Sequence, residues 1–171
     1  TCALPIFPNE MEPPERKFVP VSVIVVPEAP WVIDVGEIER PDGSKALRIG
    51  IFLSVFNVHV NRAPLSGRVV SIERSGNAYL AAFNPEAETR NVRCDMTLEL
   101  QGGTHVQVSQ ITGLIARRIV CHPKVGDVLR RGDRYGLIRF GSRTDVVLPL
   151  SAEVRVVRGE KVRGGSTVLA V

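Results

Sequence analysis

No apolar run in this sequence approaches the ~20 residues that a membrane-spanning helix needs; the longest nearly unbroken one covers residues 49–60. The first eight residues lack the basic and long apolar regions of a targeting segment, and a chain that starts on Thr1 rather than Met reads as a fragment. Cysteine is scarce: Cys2, Cys94 and Cys121 are all there are, with no Cys-x-x-Cys spacing. An odd count without that spacing excludes a disulfide framework and a zinc site. The three read as buried or free thiols in a reducing compartment, and no metal is expected. Aromatic residues number only nine and form no stacking cluster, and the arginines are scattered, so nucleic acid is excluded as a partner. Charge of one sign is lacking as well. Twenty-two basic residues against eighteen acidic ones leave a net +4, mild enough for most soluble proteins and compatible with an acidic ligand or an anionic lipid surface.

What is present points to strands. Hydrophobic residues make up 44% of the chain and charged ones 23%, enough to bury a core. Fifteen glycines and twelve prolines suit turns rather than a helical bundle. Five of the prolines lie in residues 1–20, an extended lead-in, because each removes a backbone donor and turns its predecessor away from helix. From Val21 on, residues 21–171 read as one domain. Residues 21–26, 31–38, 47–60, 67–72, 96–100 and 105–110 are β-branched runs that predict strands, with a turn at Pro41-Asp42-Gly43-Ser44. One helix is predicted, over residues 110–120, weakened by Gly113. The fold class expected is mainly β: a compact sandwich or barrel-like domain with one or a few short helices.

The last third repeats itself weakly. Gly126-Asp127-Val128-Leu129 resembles Gly159-Glu160-Lys161-Val162, and each copy precedes an apolar strand, at 135–140 and 167–171. This half is similar to the paired hairpins of biotinyl and lipoyl carrier domains. The stretch between the copies, expected as an exposed hairpin, holds no lysine to modify, so a carrier role is not expected. It holds Gly141-Ser142 instead.

Three segments stand out together: Phe52-Leu53-Ser54-Val55-Phe56-Asn57-Val58-His59-Val60-Asn61-Arg62-Ala63-Pro64, Gly113-Leu114-Ile115-Ala116-Arg117-Arg118-Ile119, and Ile138-Arg139-Phe140-Gly141-Ser142-Arg143. In this order and spacing the chain closely resembles the short, bacterial-type phosphatidylserine decarboxylases over about residues 26–171. The resemblance implies a proenzyme cut between Gly141 and Ser142, with a covalent pyruvoyl cofactor formed from Ser142. A β fragment would end at Gly141 and a short α fragment would begin at position 142, the two held as a heterodimer and capable of forming a homo-oligomer. The implied substrate is phosphatidylserine in an anionic membrane surface and the product phosphatidylethanolamine. The implied location is peripheral, on the cytoplasmic face of a bacterial cell membrane, with the apolar lead-in and scattered arginines making the contact.

The residue types suit that chemistry. A serine hydroxyl can attack the carbonyl of a preceding glycine, which tolerates unusual dihedral angles and offers no side chain to hinder approach. His59 is the expected proton-transfer group, and the resemblance makes Asn61, Arg62, Arg117 and Arg118 candidates for holding the substrate. His105 and His122 fall outside the matching positions and read as structural or surface residues. The sequence also departs from the family. Ala29 stands where an aspartate implicated in self-cleavage belongs, with Asp34, five residues on, a candidate substitute. An Asn-Glu-Arg motif is altered to Glu88-Thr89-Arg90. The alternative expectation is therefore a homologue unable to mature, serving as a lipid-binding or interaction module.

Overall fold

A computed structural model describes residues 21–22, 30–54, 59–139 and 141–171. The Pro-rich lead-in, Ala29 and most of the first predicted strand lie outside the described residues. The elements run β1 (Val21–Ser22), β2 (Trp31–Glu39), β3 (Lys45–Leu53), β4 (Val60–Arg62), β5 (Gly67–Ser75), α1 (Ala87–Arg90), β6 (Arg93–Glu99), β7 (His105–Ile111), β8 (Ile119–Cys121), β9 (Val128–Leu129), β10 (Arg134–Ile138), β11 (Ser142–Leu148) and β12 (Val168–Ala170). The domain is mainly β, as its β-branched runs and turn residues require. The turn between β2 and β3 forms where expected: Gly43 takes a positive φ of 80°, and Asp42 Oδ1 accepts hydrogen bonds from the Ser44 backbone and hydroxyl.

Seven antiparallel strands form one sheet in the order β2-β3-β11-β7-β6-β5-β9; β4-β10-β8 and β1-β12 form two smaller sheets. The large sheet is open, so the described strands close no barrel. Two of the predicted elements need correction. Residues 47–60 are not one strand, since β3 ends at Leu53 and β4 begins at Val60 in a different sheet. Residues 110–120 are not a helix. Gln110 and Ile111 complete β7, whose ladder with β6 and β11 claims their backbone groups. The Thr112 amide and hydroxyl then both donate to the Val92 carbonyl, leaving no run of backbone free for helical bonding.

The weak repeat is real in three dimensions. Gly126 donates to the Val69 carbonyl while Val69 donates to Asp127, and Gly159 and Glu160 make the same exchange with Val32, all at 2.8–2.9 Å. In each copy an acidic side chain closes the turn: Asp127 accepts from the Lys124 amide and Glu160 from the Val157 amide. Further along each copy, β10 or β12 pairs antiparallel with β4 or β1. The link between the copies is not the expected hairpin. β10 pairs with β4 and β8, whereas β11 pairs with β3 and β7, so the two strands belong to different sheets.

Every residue of β11 is buried. Because side chains alternate across a sheet, its two faces meet different surroundings. Val146 and Leu148 enter the main core with Ile49, Ile51 and Leu53, while Arg143 and Asp145 face the opposite side. Tyr135, Met96, Leu98 and Val108 make a second apolar cluster, and Cys94, Ala116, Ile119 and Ile138 a third beside the site. Cys94 and Cys121 are free thiols. Their mutual interaction lowers the Cys94 pKa to about 7 and, with burial, raises that of Cys121.

Candidate active site

The crossover from β10 to β11 brings the chemistry together. β4 pairs with β10, and one step beyond that ladder the His59 carbonyl accepts a 3.1 Å bond from the Ile138 amide. The same strand end thus fixes the His59 backbone and, four residues later, delivers Ser142. Ser142 is fully buried, with its Oγ 3.1 Å from His59 Nδ1. Burial lowers the pKa of the half-buried His59 below the ordinary 6.5; a hydrogen bond to the Ser54 backbone opposes this without reversing it. At pH 7 the ring is therefore mainly neutral and can take a proton from the serine hydroxyl.

Gly141 has φ +67°, a left-handed conformation that glycine adopts at little cost. Its carbonyl lies against Gly113 so closely that a Cβ there would come within 1.9 Å of the oxygen and 3.0 Å of the carbon. Only glycine at 113 leaves room for the Gly141 carbonyl in this position. The Gly113 amide is taken up by the Ala116 carbonyl at 3.1 Å, which folds residues 113–116 into a tight turn beside the site. Asn91, fully buried, holds the floor: its Nδ2 donates to the carbonyls of Leu80 and Thr112, and its Oδ1 accepts from the Leu80 amide.

Beneath Ser142 on the same face is a buried polar row. Thr144 Oγ1 lies 3.3 Å from Asn61 Oδ1, and Gln110 is the register partner of Thr144. Asn61 Nδ2 and both amide atoms of Gln110 have no hydrogen-bond partner among the described residues. On the other face lies an ionic cluster. Arg143 Nε binds Asp145 at 2.5 Å, and its Nη2 lies 3.3 Å from Glu88 and 3.5 Å from Asp34; Arg48 bridges Asp34 and Glu88. Arg143 and Asp145 are only 4% and 3% exposed. A cavity of about 500 Å³ opens over this cluster, lined by Trp31, Asp34, Arg48, Phe83, Glu88 and Arg143 among others, but by neither Ser142 nor His59.

The sequence-predicted residues are thus divided by the fold. Gly141, Ser142 and His59 come together, with Asn61 just beneath them. Arg62 points away, donating to the Gly132 carbonyl at 2.8 Å and bracing the turn between β9 and β10. Arg117 and Arg118 are exposed on the loop after Gly113, the Arg117 guanidinium 5.2 Å over the Tyr79 ring. His105 and His122 are exposed. Asp34, the candidate substitute for the missing aspartate, belongs to the ionic cluster on the face away from Ser142. Sequence reasoning missed Asn91, Thr144, Gln110 and the Arg143–Asp145 pair. It noticed Gly113 only as a weak point in a helix, although a glycine inside an otherwise specific motif is itself a sign of close backbone approach.

A family model described as phosphatidylserine decarboxylase matches residues 11–170. Among curated relatives, each called phosphatidylserine decarboxylase proenzyme, that of Geotalea uraniireducens is 50% identical over 73% of this chain and 59% of its own length. That of Geotalea daltonii is 42% identical over 96% of this chain and 75% of the relative. The Rhodopirellula baltica protein is 44% identical over 92% and 68% respectively. The matched part therefore spans roughly three-fifths to three-quarters of these relatives. No solved structure matches the chain.

Proposed function

This chain belongs to the phosphatidylserine decarboxylase family, and on that premise we propose that it cuts itself between Gly141 and Ser142 and then converts phosphatidylserine to phosphatidylethanolamine and CO2. The observation that carries this reading is a buried serine hydroxyl 3.1 Å from a neutral imidazole, directly after a glycine whose carbonyl is pinned against Gly113. A plain structural turn has no need of a buried Ser–His pair, a positive φ and a side-chain-free seat for one carbonyl all at a single linkage.

His59 Nδ1 takes the Ser142 hydroxyl proton as Oγ adds to the Gly141 carbonyl carbon. The Gly141–Ser142 C–N bond then breaks, its nitrogen takes up a proton, and Gly141 is left as an ester on Oγ. Loss of the Cα proton of residue 142 with rupture of its Cβ–Oγ bond frees a Gly141 carboxylate and leaves dehydroalanine. Water then replaces the nitrogen, released as ammonia, and a pyruvoyl group heads residues 142–171. The residues fit such a group, because its precursor is the buried serine itself and the donors around it are polar and enclosed. When formed, it supplies the carbonyl that takes up the substrate amine and accepts the electron pair released as CO2 departs.

The chain's own residues supply the rest. Burial keeps His59 neutral as a base and makes its protonated form a stronger acid when a proton must return to the substrate α-carbon. Two fragments stay associated because β11 is hydrogen-bonded along one edge to β3 and along the other to β7. The substrate is a lipid, so the work is done at a membrane surface; no helix among the described residues is long and apolar enough to cross one. Incubation of the purified chain with phosphatidylserine in detergent micelles tests the reading. It predicts CO2 and phosphatidylethanolamine, both lost in Ser142→Ala; equal turnover by that variant would refute it.

A further inference from the structure

The loop that grows out of the site carries apolar side chains that nothing in the fold covers. Leu114 and Ile115 are 58% and 66% exposed, and Phe83, on the adjoining segment, is 71% exposed. That segment is held close, since the position where a Gly113 Cβ would stand is 3.5 Å from Ala82 Cβ. The Phe83 ring lies 6.2 Å from Phe52, which in turn lies 5.3 Å from the half-exposed Trp31. Phe52 is the register partner of Arg143, the residue after Ser142. Phe52 and Trp31 therefore lie on the Arg143 face of β11, opposite Ser142, and the exposed apolar groups on the Gly113 side of the Gly141–Ser142 linkage are Leu114 and Ile115, with Phe83 next to Ala82; an exposed apolar patch marks a contact surface.

Phe83 and Trp31 border the mixed-charge cavity with Asp34 and Glu88, but the segments around Leu114 and Ile115 carry charge of one sign. Residues 110–122 contain Arg117 and Arg118 and no carboxylate, residues 77–85 contain no charge at all, and residues 136–144 contain Arg139 and Arg143 and no carboxylate. Arg117, Arg118 and Arg139 are exposed. Leu114 and Ile115, collared by arginine, suit the boundary between acyl chains and anionic headgroups.

We propose that this face docks on an anionic lipid bilayer, Leu114 and Ile115 entering the interface while Arg117 and Arg118 lie among the phosphates, so that position 142 opens at headgroup level. Its purpose rests on the reading of Ser142 given above, but its test does not. Flotation of the whole chain carrying Ser142→Ala, on vesicles of phosphatidylcholine with phosphatidylglycerol, needs no activity and no substrate. Leu114→Ser with Ile115→Ser is expected to weaken partitioning more than tenfold. Arg117→Gln with Arg118→Gln is expected to weaken it about fivefold per arginine on anionic vesicles and not on phosphatidylcholine alone. With Ser142 intact, the Leu114 and Ile115 double variant is expected to cleave itself and act normally on a monomeric short-chain phosphatidylserine. Undiminished flotation of that variant would overturn the proposal. So would a dimer in sedimentation that the same variant converts to monomer while flotation is unchanged, since the face would then cover a second copy. Flotation that depends on Leu114 and Ile115, in a chain that releases no CO2 from any lipid, would uphold the docking surface and overturn the decarboxylation reading instead.

Discussion

Substituting alanine for Gly113 adds a carbon 1.9 Å from the Gly141 carbonyl oxygen and 3.0 Å from the carbonyl carbon. Ordinary contact at such a position is 3.4 Å or more, so the carbonyl must withdraw by about 1.5 Å or the loop must lift away by as much. Withdrawal moves the electrophilic carbon relative to Ser142 Oγ, and a misplacement of ~1 Å costs on the order of 100-fold in rate. Overpacking a buried spot also costs about 1–3 kcal/mol of stability, so folding must be read separately. The assay follows the appearance of the two fragments by mass over time, with thermal unfolding of Gly113→Ala in the Ser142→Ala background as the control. Hydroxylamine adds a further readout, because it cleaves an accumulated ester at position 142. Gly113→Ala is expected to mature at least ~100-fold more slowly, with no ester trapped, while remaining folded. Maturation at the unmodified rate would refute the claim that Gly113 seats the scissile carbonyl. Abundant trapped ester would refute it too, because the block would then fall after the attack.

Other outcomes follow from the same geometry. Self-cleavage requires neutral His59, whose pKa lies below 6.5, so its rate is expected to be flat at and above neutral pH and to fall on acidification through a point below 6.5; a decline beginning above 7 would contradict the burial argument. His59→Ala is expected to slow cleavage ~10²–10⁴-fold, measured by the same fragment assay. Arg143→Met leaves Asp145, buried and with its pKa already raised from 3.8 by that burial, without its 2.5 Å partner. A loss of about 3–5 kcal/mol in urea unfolding is expected. Because a raised carboxylate pKa favours the folded state only while the proton stays on, that deficit should grow as pH rises above 3.8.

Local signals carried well where a few neighbouring residues decide the structure. The Pro41-Asp42-Gly43-Ser44 turn, the β-branched strands and the glycine turns of the repeat all depend on chemistry within a handful of positions. The Ser142–His59 pair was legible because its segments match a family pattern, although 83 residues separate the two in sequence. What escaped notice depends on cross-strand register. Asp34, Arg48, Glu88, Arg143 and Asp145 look like scattered surface charges until β2, β3, β11 and α1 bring them into one largely buried cluster. The helix predicted over 110–120 does not form, and Leu114 and Ile115 within it face solvent. The competing claims on Thr112 by Val92 and on Gly113 by Gly141 come from distant strands, and no local pattern reports them.

The reactivity of the linkage between Gly141 and Ser142 is tested most directly by the intact mass of the freshly purified chain. The account predicts two species, one ending at Gly141 and one comprising residues 142–171 with a pyruvoyl group in place of its first residue. A single unmodified chain of 18.7 kDa that stays whole on prolonged incubation at neutral pH would contradict it.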